Sequence, residues 1–383
     1  MLRSPAFGNT RPLAEILLKT SKVNINLFTK LSMPKNYSLL VESLQKRSNP
    51  DNIILEKSLS NELLTIRYND ILRYITLAMN GVEQSYTERS KEEGERVKNH
   101  LKETLNDVVY RYQGSVMTNT HIKGNSDIDL LVITDKFYTF DRAGIEKTLS
   151  DFNQTYYLNQ TQIQRLKNEL SGGGYSTALE DLRTNRLKSE KKLKDVYDIC
   201  DITHAKAIKI TNQSLKRDVD IVIANWYDNV NSVINGKNSD YRGIQVYNKD
   251  TNSKGKQDYP FLSIKRINER SSDTNGRLKK MIRFLKNVKA DSGKEINLSS
   301  FDFNAICYDI DMKIYKNLSK YFLVPVIYNQ LLRLVTNETL ANNLKSVDEH
   351  EYIFRDKPEK YKSLGLLLEE VTVIYLDLNP QLL

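Results

Sequence analysis

The chain has 383 residues, of which 27% are charged and 39% hydrophobic, and its formal net charge is +9. This length predicts two or three domains, or one large two-lobed enzyme. The low numbers of glycine (15) and proline (8) exclude collagen-like and low-complexity chains. No run of eighteen apolar residues occurs, so we expect no membrane span. Two cysteines and four scattered histidines argue against a disulfide framework or a histidine-rich metal site, and favour a reducing, cytoplasmic location.

The N-terminal segment and the net positive charge each allow more than one interpretation. Residues 1–32 are basic and carry a single acid, Glu15, which is typical either of a transit peptide or of an upstream extension before Met33. The excess of 57 Lys and Arg over 48 Asp and Glu suits nucleoside triphosphates, nucleic acid or an anionic membrane face. A well-solvated surface with a small cationic bias explains it equally well.

The predicted elements run from helices through strands to helices. Residues 33–112 are mostly helical, with a long charged helix over 86–109 that leads into the strand-like VVYRYQGS. The segment DIDLLVIT has the apolar density of a buried strand, and two helices separated by SGGGYS follow over 141–199. AKAIKIT and RDVDIVIANW are two further strands. The polar segment 235–259 is a candidate linker, and the pattern after Pro260 is helical to the end.

Acidic side chains mark the start of two of these strands. Asp127 and Asp129 are two residues apart on one strand, so their side chains lie on the same face, ~7 Å from each other. Two buried carboxylates this close would need a counterion. Oxygen ligands suit Mg²⁺ or Mn²⁺. A third acid would come from the later strand, where Asp220 is preferred because the apolar run begins just after it, and Asp218 is the fallback. Three such acids could hold two ions for in-line phosphoryl transfer.

Gly114 and Ser115 form the second part of the predicted site. Glycine lets the backbone approach a phosphate closely, and backbone N–H groups with a serine hydroxyl can bind phosphate oxygens. The order of features is more specific than either motif alone: a strand, Gly-Ser, about a dozen residues, an acidic strand, and a second acidic strand downstream.

At these residues the chain resembles the polymerase-β-like nucleotidyltransferases, through GSVMTNTHIKGNSDIDLLVI and RDVDIVIA. Within that superfamily it is most similar to the cGAS/DncV-like enzymes (CD-NTases), because TNGRLKKMIRFLKNVKADS and LSSFDFNAICYD match their helical region. The resemblance spans roughly residues 85–320. It implies an α+β fold with a mixed sheet flanked by helices and a C-terminal helical lobe across a central cleft. We expect a nucleotidyltransferase core with N-terminal helices over 33–250 and a helical domain over 251–383.

The resemblance also implies roles for individual residues. Metal binding falls to Asp127, Asp129 and Asp220, which implies two Mg²⁺ or Mn²⁺ ions. Contact with the triphosphate falls to four residues: Gly114, Ser115, Lys286 and Ser300. Ser299 is a near competitor for the last position. One departure from the family is Ile223, where many relatives have proline.

Helical periodicity bears on the choice of Lys286. Five residues form an apolar stripe at about 100° per residue, beside a basic stripe of Lys279, Arg283 and Lys286. Lys286 lies nearest the apolar edge, so we expect it to be half-buried and directed into the cleft. Lys289 and Arg283 are alternative phosphate contacts, and a solvent-exposed Lys286 is the simplest alternative.

Several other residues allow two interpretations. His121 lies in the site segment and could meet substrate, although a hydrogen-bonded loop histidine accounts for it as well. Tyr227 and Tyr247 could stack on a base. Gly172, Gly173 and Gly174 could bind phosphate, but a flexible loop between helices fits their surroundings better.

The resemblance implies an enzyme that joins two or three NTPs (ATP, GTP, UTP or CTP) into a cyclic second messenger for anti-phage signalling and releases pyrophosphate. Its partners would be an effector protein that responds to the product and, as an open alternative, a regulatory protein or RNA; the enzyme would be a monomer. Two other functions remain open: a polymerase-β-like enzyme that transfers a nucleotide to RNA, protein or a small molecule or makes linear oligonucleotides, and a nucleotide sensor without catalysis.

Overall fold

The computed structural model describes residues 35–51, 57–67, 69–124, 128–213 and 217–382. The predicted basic extension over 1–32 and the predicted metal ligand Asp127 lie outside these residues. The α+β prediction is confirmed, since a seven-stranded mixed sheet is flanked by helices and followed by a helical region.

Among the described residues, four helices precede the sheet: α1 (Tyr37–Ser48), α2 (Lys57–Thr65), α3 (Asp70–Met79) and α4 (Gln84–Lys102). Asn36 and Asn69 cap α1 and α3, because each side chain accepts a hydrogen bond from a backbone N–H of the first turn. The predicted long charged helix is α4, which ends at Lys102 rather than at residue 109.

The sheet consists of β1 (Val108–Gln113), β2 (Ile128–Phe140), β3 (Ile199–Asp201), β4 (Ile208–Asn212), β5 (Arg217–Asp228), β6 (Gly243–Asn248) and β7 (Ser253–Asp258). Its order is β1-β2-β5-β4-β3, with β6 paired to β5 and β7 paired to β6. Only β2 and β5 run parallel among the described pairs. The parallel pair brings two segments that are distant in sequence into the centre of the sheet.

The side chains on the two faces of the β2–β5 pair are buried in different hydrophobic clusters. Leu130 and Ile221 belong to a core shared with α4 and with α8 (Ala178–Val196). Leu131 and Val222 belong to a second cluster on the other face, which Phe261 also joins. Because side chains alternate along a strand, Asp129 and Asp220 lie on the second face, just before its apolar rows begin.

The middle of the chain departs from two predictions. Four helices, rather than two, occupy 141–199: α5 (Arg142–Ser150), α6 (Phe152–Thr155), α7 (Gln160–Leu170) and α8; α9 (Val230–Ile234) comes after β5. The predicted linker over 235–259 is wrong, because β6 and β7 form a hairpin on the sheet. β7 has polar and largely exposed side chains, so its sequence lacks the apolar alternation of a half-buried strand.

The C-terminal helices are α10 (Pro260–Asp273), α11 (Arg277–Asp291), α12 (Ser300–Tyr308), α13 (Met312–Tyr315), α14 (Leu323–Thr336), α15 (Glu338–Asn343) and α16 (Pro358–Leu382), with a 3₁₀ turn at Lys320–Phe322. Their core also contains residues of α1 and α3, such as Leu44 and Ile75. Helices from both ends of the described chain therefore share one core. None of the described helices has the length and apolarity needed to cross a membrane.

Candidate functional site

Two of the predicted acids meet at the centre of the sheet. The parallel register of β2 and β5 pairs the Cα atom of Asp129 with that of Asp220. Adjacent strands lie about 4.8 Å apart, so the two carboxylates are neighbours on one face. Both side chains are half-buried. The structure thus brings together two acids that lie on separate strands about ninety residues apart in the sequence.

The fallback acid, Asp218, has different surroundings. Its side chain is exposed and accepts a hydrogen bond from Thr211 Oγ1 at 2.6 Å. Asp220 instead lies 3.4 Å from the ammonium of Lys209, which is its partner across the β4–β5 ladder. The register therefore favours Asp220 as the acid beside Asp129. Lys209 was not predicted; its place in the alternating strand AKAIKIT was the available signal.

Gly114 approaches Asp129 very closely. Its φ is +90°, in the region that favours glycine, and a Cβ atom added there would lie 2.8 Å from Asp129 Oδ2. The following backbone folds into a tight turn, in which Thr120 N–H donates to the carbonyl of Ser115 at 2.9 Å. We call residues 114–120 the Gly-Ser loop. This loop lies directly beside the carboxylate of Asp129.

The helical region contacts the Gly-Ser loop through Lys286. Its ammonium donates to the carbonyl of Thr120 at 2.9 Å and is 3.3 Å from the hydroxyl of the same residue. Only 7% of Lys286 is exposed, so it is more buried than the half-buried side chain we predicted. The apolar stripe of α11 is buried as expected.

Three cations on this face of α11 have no acid paired with them in the described part of the chain. Burial and the neighbouring Arg283 lower the pKa of Lys286 to about 8, and burial lowers that of Arg283 to about 10. Burial also lowers the pKa of Lys279. Within the described ranges none of these three side chains forms a salt bridge. The uncompensated positive charge favours an anionic ligand nearby.

The alternative phosphate contacts have hydrogen-bond partners within the protein. Lys289 donates to the carbonyl of Leu298 at 2.7 Å. Arg283 donates to the backbone carbonyls of Met79 and Asn119. Ser299 is the N-cap of α12 and forms a reciprocal capping box with Asp302. Ser300, the first residue of α12, is exposed, and its contact with phosphate stays a prediction.

The remaining candidates have structural surroundings. His121 is buried and hydrogen-bonded to Thr87 Oγ1 at 3.1 Å, and burial lowers its pKa to about 4. Tyr227 and Tyr247 are buried, so neither ring is open to a base. Gly173 and Gly174 lie in open space between α7 and α8. These positions agree with the simpler interpretation of each residue.

Two family models match the chain. A nucleotidyltransferase domain matches residues 95–242, and the C-terminal helical domain of cGAS/DncV-like nucleotidyltransferases matches residues 265–373. The chain is also 59% identical over 351 residues to a c-di-GMP synthase of Capnocytophaga granulosa, covering 91% of this chain and 99% of the relative. The chain belongs to the cGAS/DncV-like nucleotidyltransferases.

Further relatives agree with this assignment. A c-di-GMP synthase of a Lachnospiraceae bacterium is 43% identical, covering 90% of this chain and 99% of the relative. The solved structure of a STING-associated CdnE c-di-GMP synthase from Flavobacteriaceae sp. has a TM-score of 0.83 at 40% identity, covering 91% of this chain and 100% of that one. The predicted family, fold and enzyme class are confirmed, including the cyclic dinucleotide-forming type of enzyme.

The donor set of this CD-NTase suits a hard divalent cation. Asp129 and Asp220 offer carboxylate oxygens from adjacent strands, and Gly114 leaves the space beside Asp129 Oδ2 free of a side chain. No cluster of three or more His, Cys, Asp or Glu ligands occurs in the part of the chain that the structure describes. The third predicted ligand, Asp127, lies outside that part. Two acids in position and a predicted third fit Mg²⁺ or Mn²⁺.

Proposed function

We propose that this chain makes c-di-GMP from two molecules of GTP and releases two molecules of pyrophosphate. The observation that carries the choice of GTP is the identity of 59% and 43%, over nine-tenths of the chain, to two enzymes named c-di-GMP synthase. The pairing of Asp129 with Asp220 beside Gly114 supports catalysis rather than nucleotide sensing alone, because adjacent carboxylates would repel a triphosphate unless a cation bridged them.

The chemistry is an in-line displacement repeated twice. A ribose hydroxyl of one GTP attacks the α-phosphorus of the other, a new P–O bond forms, and the bond to pyrophosphate breaks. Asp220 accepts the proton of the attacking hydroxyl, and the Lys209 ammonium lies 3.4 Å from its carboxylate. The second displacement, within the linear intermediate, closes the ring and releases the second pyrophosphate.

The other site residues hold the triphosphate and the ions. Gly114 and Ser115 bind phosphate oxygens through backbone N–H groups and the serine hydroxyl, and Lys286 and Ser300 approach from the helical side. Mg²⁺ or Mn²⁺ held by Asp127, Asp129 and Asp220 would neutralise the triphosphate and lower the pKa of the attacking hydroxyl.

The product would be a signal for a separate effector protein. The Capnocytophaga granulosa relative of known structure is a STING-associated CdnE c-di-GMP synthase. We extend the association to this chain and propose that it acts in the cytoplasm, where GTP is available, in anti-phage signalling. A cyclic product rather than a linear one is what such an effector would recognise.

Mass analysis of products tests the proposal. The full chain is incubated with each NTP alone and with all four, in Mg²⁺ or Mn²⁺, and the products are treated with phosphatase. We expect GTP alone to yield phosphatase-resistant material with the mass of c-di-GMP. The double variant Asp129→Asn, Asp220→Asn should yield none.

Other outcomes would point to other functions. Products that contain a second base would refute the choice of GTP, and phosphatase-sensitive products would mean linear chains. Pyrophosphate release only after addition of RNA, protein or a small acceptor would indicate simple transfer. No release with any NTP would indicate a sensor.

A further inference from the structure

Arg283 joins three separate parts of the chain. Its Nε donates to the carbonyl of Met79, at the end of α3, at 2.8 Å. Its Nη1 donates to the carbonyl of Asn119, in the Gly-Ser loop, at 2.7 Å. The guanidinium therefore links α11, α3 and the loop through two hydrogen bonds that point to different segments.

The surroundings of Arg283 are unusual for a cation. The residue is 7% exposed and its two named acceptors are neutral carbonyls, so its charge is hydrogen-bonded but not neutralised. A buried charge without a counterion is unfavourable for stability, and a neutral side chain would fill the same space at less cost. A neutral side chain of similar size cannot replace the guanidinium, because arginine presents several N–H donors in fixed directions.

The loop is packed tightly around this contact. Asn119 has a φ of +50°, and a Cβ atom added at Gly81 would lie 3.2 Å from Asn119 Oδ1 and 3.6 Å from Arg283 Nη1. Glycine at position 81 thus lets the segment after α3 approach both groups. The carbonyl of Asn119 immediately precedes Thr120, whose N–H donates to Ser115 at 2.9 Å. Displacement of that carbonyl would move the turn that carries Ser115.

We infer that Arg283 is a positioning residue for the triphosphate site, acting through the Gly-Ser loop and not through contact with the nucleotide. It holds one end of the loop against the helical region, so that Gly114 and Ser115 stay at a fixed distance from Asp129. Lys286 donates to the next carbonyl of the same loop, that of Thr120, so α11 holds the loop through two consecutive carbonyls. The inference rests on the proposed nucleotide site.

The test compares variants on one helix. Arg283→Lys retains the charge but can supply only one of the two directed hydrogen bonds, and Arg283→Gln removes the buried charge. Lys280→Met is the matched control: Lys280 is half-buried one turn earlier, lines the same cavity as Arg283, and donates no hydrogen bond to the loop within the described residues. GTP dependence of pyrophosphate release, melting temperature and amide hydrogen exchange are measured for each protein.

We expect both Arg283 variants to raise the KM for GTP about tenfold, with a smaller change in kcat, and to accelerate exchange in peptides covering 114–121. Lys280→Met should stay within twofold of the unmodified chain. Unchanged KM and exchange in either folded Arg283 variant would overturn the inference. So would faster exchange throughout the molecule with an unchanged KM, since this is the signature of a purely stabilising role.

The two proposals fail in different ways. If the unmodified chain makes nothing from GTP, the proposed function is wrong, and the same comparison is made with the NTP that it does use. The exchange measurement needs no nucleotide. Loop exchange equal to that of Lys280→Met would therefore refute the role of Arg283 whichever substrate is correct.

Discussion

Replacing Gly114 with alanine perturbs the site through a single methyl group. Its Cβ would lie 2.8 Å from Asp129 Oδ2, whereas ordinary van der Waals contact begins at 3.4 Å. The carboxylate must therefore retreat by roughly 0.6 Å, or the loop must shift by a similar distance. Either movement changes the relation between the acid and the loop that holds the triphosphate.

The expected magnitudes separate backbone strain from displacement. A non-glycine residue at this φ costs about 1–2 kcal/mol, which lowers the melting temperature of a chain of this size by about 1–3 °C. Misplacement of reacting groups by ~1 Å costs about 100-fold in rate, so we expect kcat/KM to fall by roughly 10- to 100-fold. Activity is thus lost far beyond what the change in stability explains.

Gly276 provides the matched control. Its φ of +78° is similar, but an added Cβ atom would meet nothing within 4 Å. Gly276→Ala should therefore reproduce the loss of melting temperature and retain full activity. The assay is pyrophosphate release at saturating Mg²⁺, with melting temperature measured on the same samples. Full activity of Gly114→Ala, or equal losses in both variants, would refute the reasoning.

Two further predictions concern the acids and Lys286. Asp220→Asn should abolish pyrophosphate release, whereas Asp218→Asn, at the exposed position bonded to Thr211, should reduce it less than threefold; comparable losses would mean that the register does not select the acid. Because the pKa of Lys286 is lowered to about 8, the side chain loses its proton above that pH, and a triphosphate would restore it. Affinity for GTP should therefore fall as pH rises through about 8. Calorimetry near pH 9 in two buffers of different protonation enthalpy should detect proton uptake that Lys286→Met removes; equal heats in both buffers with the unmodified chain would contradict this.

Local patterns were sufficient to predict the two acidic strands. Apolar density and alternation are properties of a few neighbouring residues, so β2, β5 and the buried stripe of α11 were predicted correctly. The hairpin of β6 and β7 was not, because the side chains of β7 are polar and largely exposed and its backbone hydrogen bonds to β6 hold it in the sheet.

Tertiary structure decided which of these residues meet. The sequence by itself left Asp218 and Asp220 as alternatives, and the parallel register of β2 with β5 placed Asp220 opposite Asp129. It likewise left Arg283 and Lys286 as alternative phosphate contacts, and packing of α11 against the loop turned Arg283 towards backbone carbonyls. Periodicity shows which face of an element is buried, but the partner on that face comes from another part of the chain, so only the assembled fold supplies it.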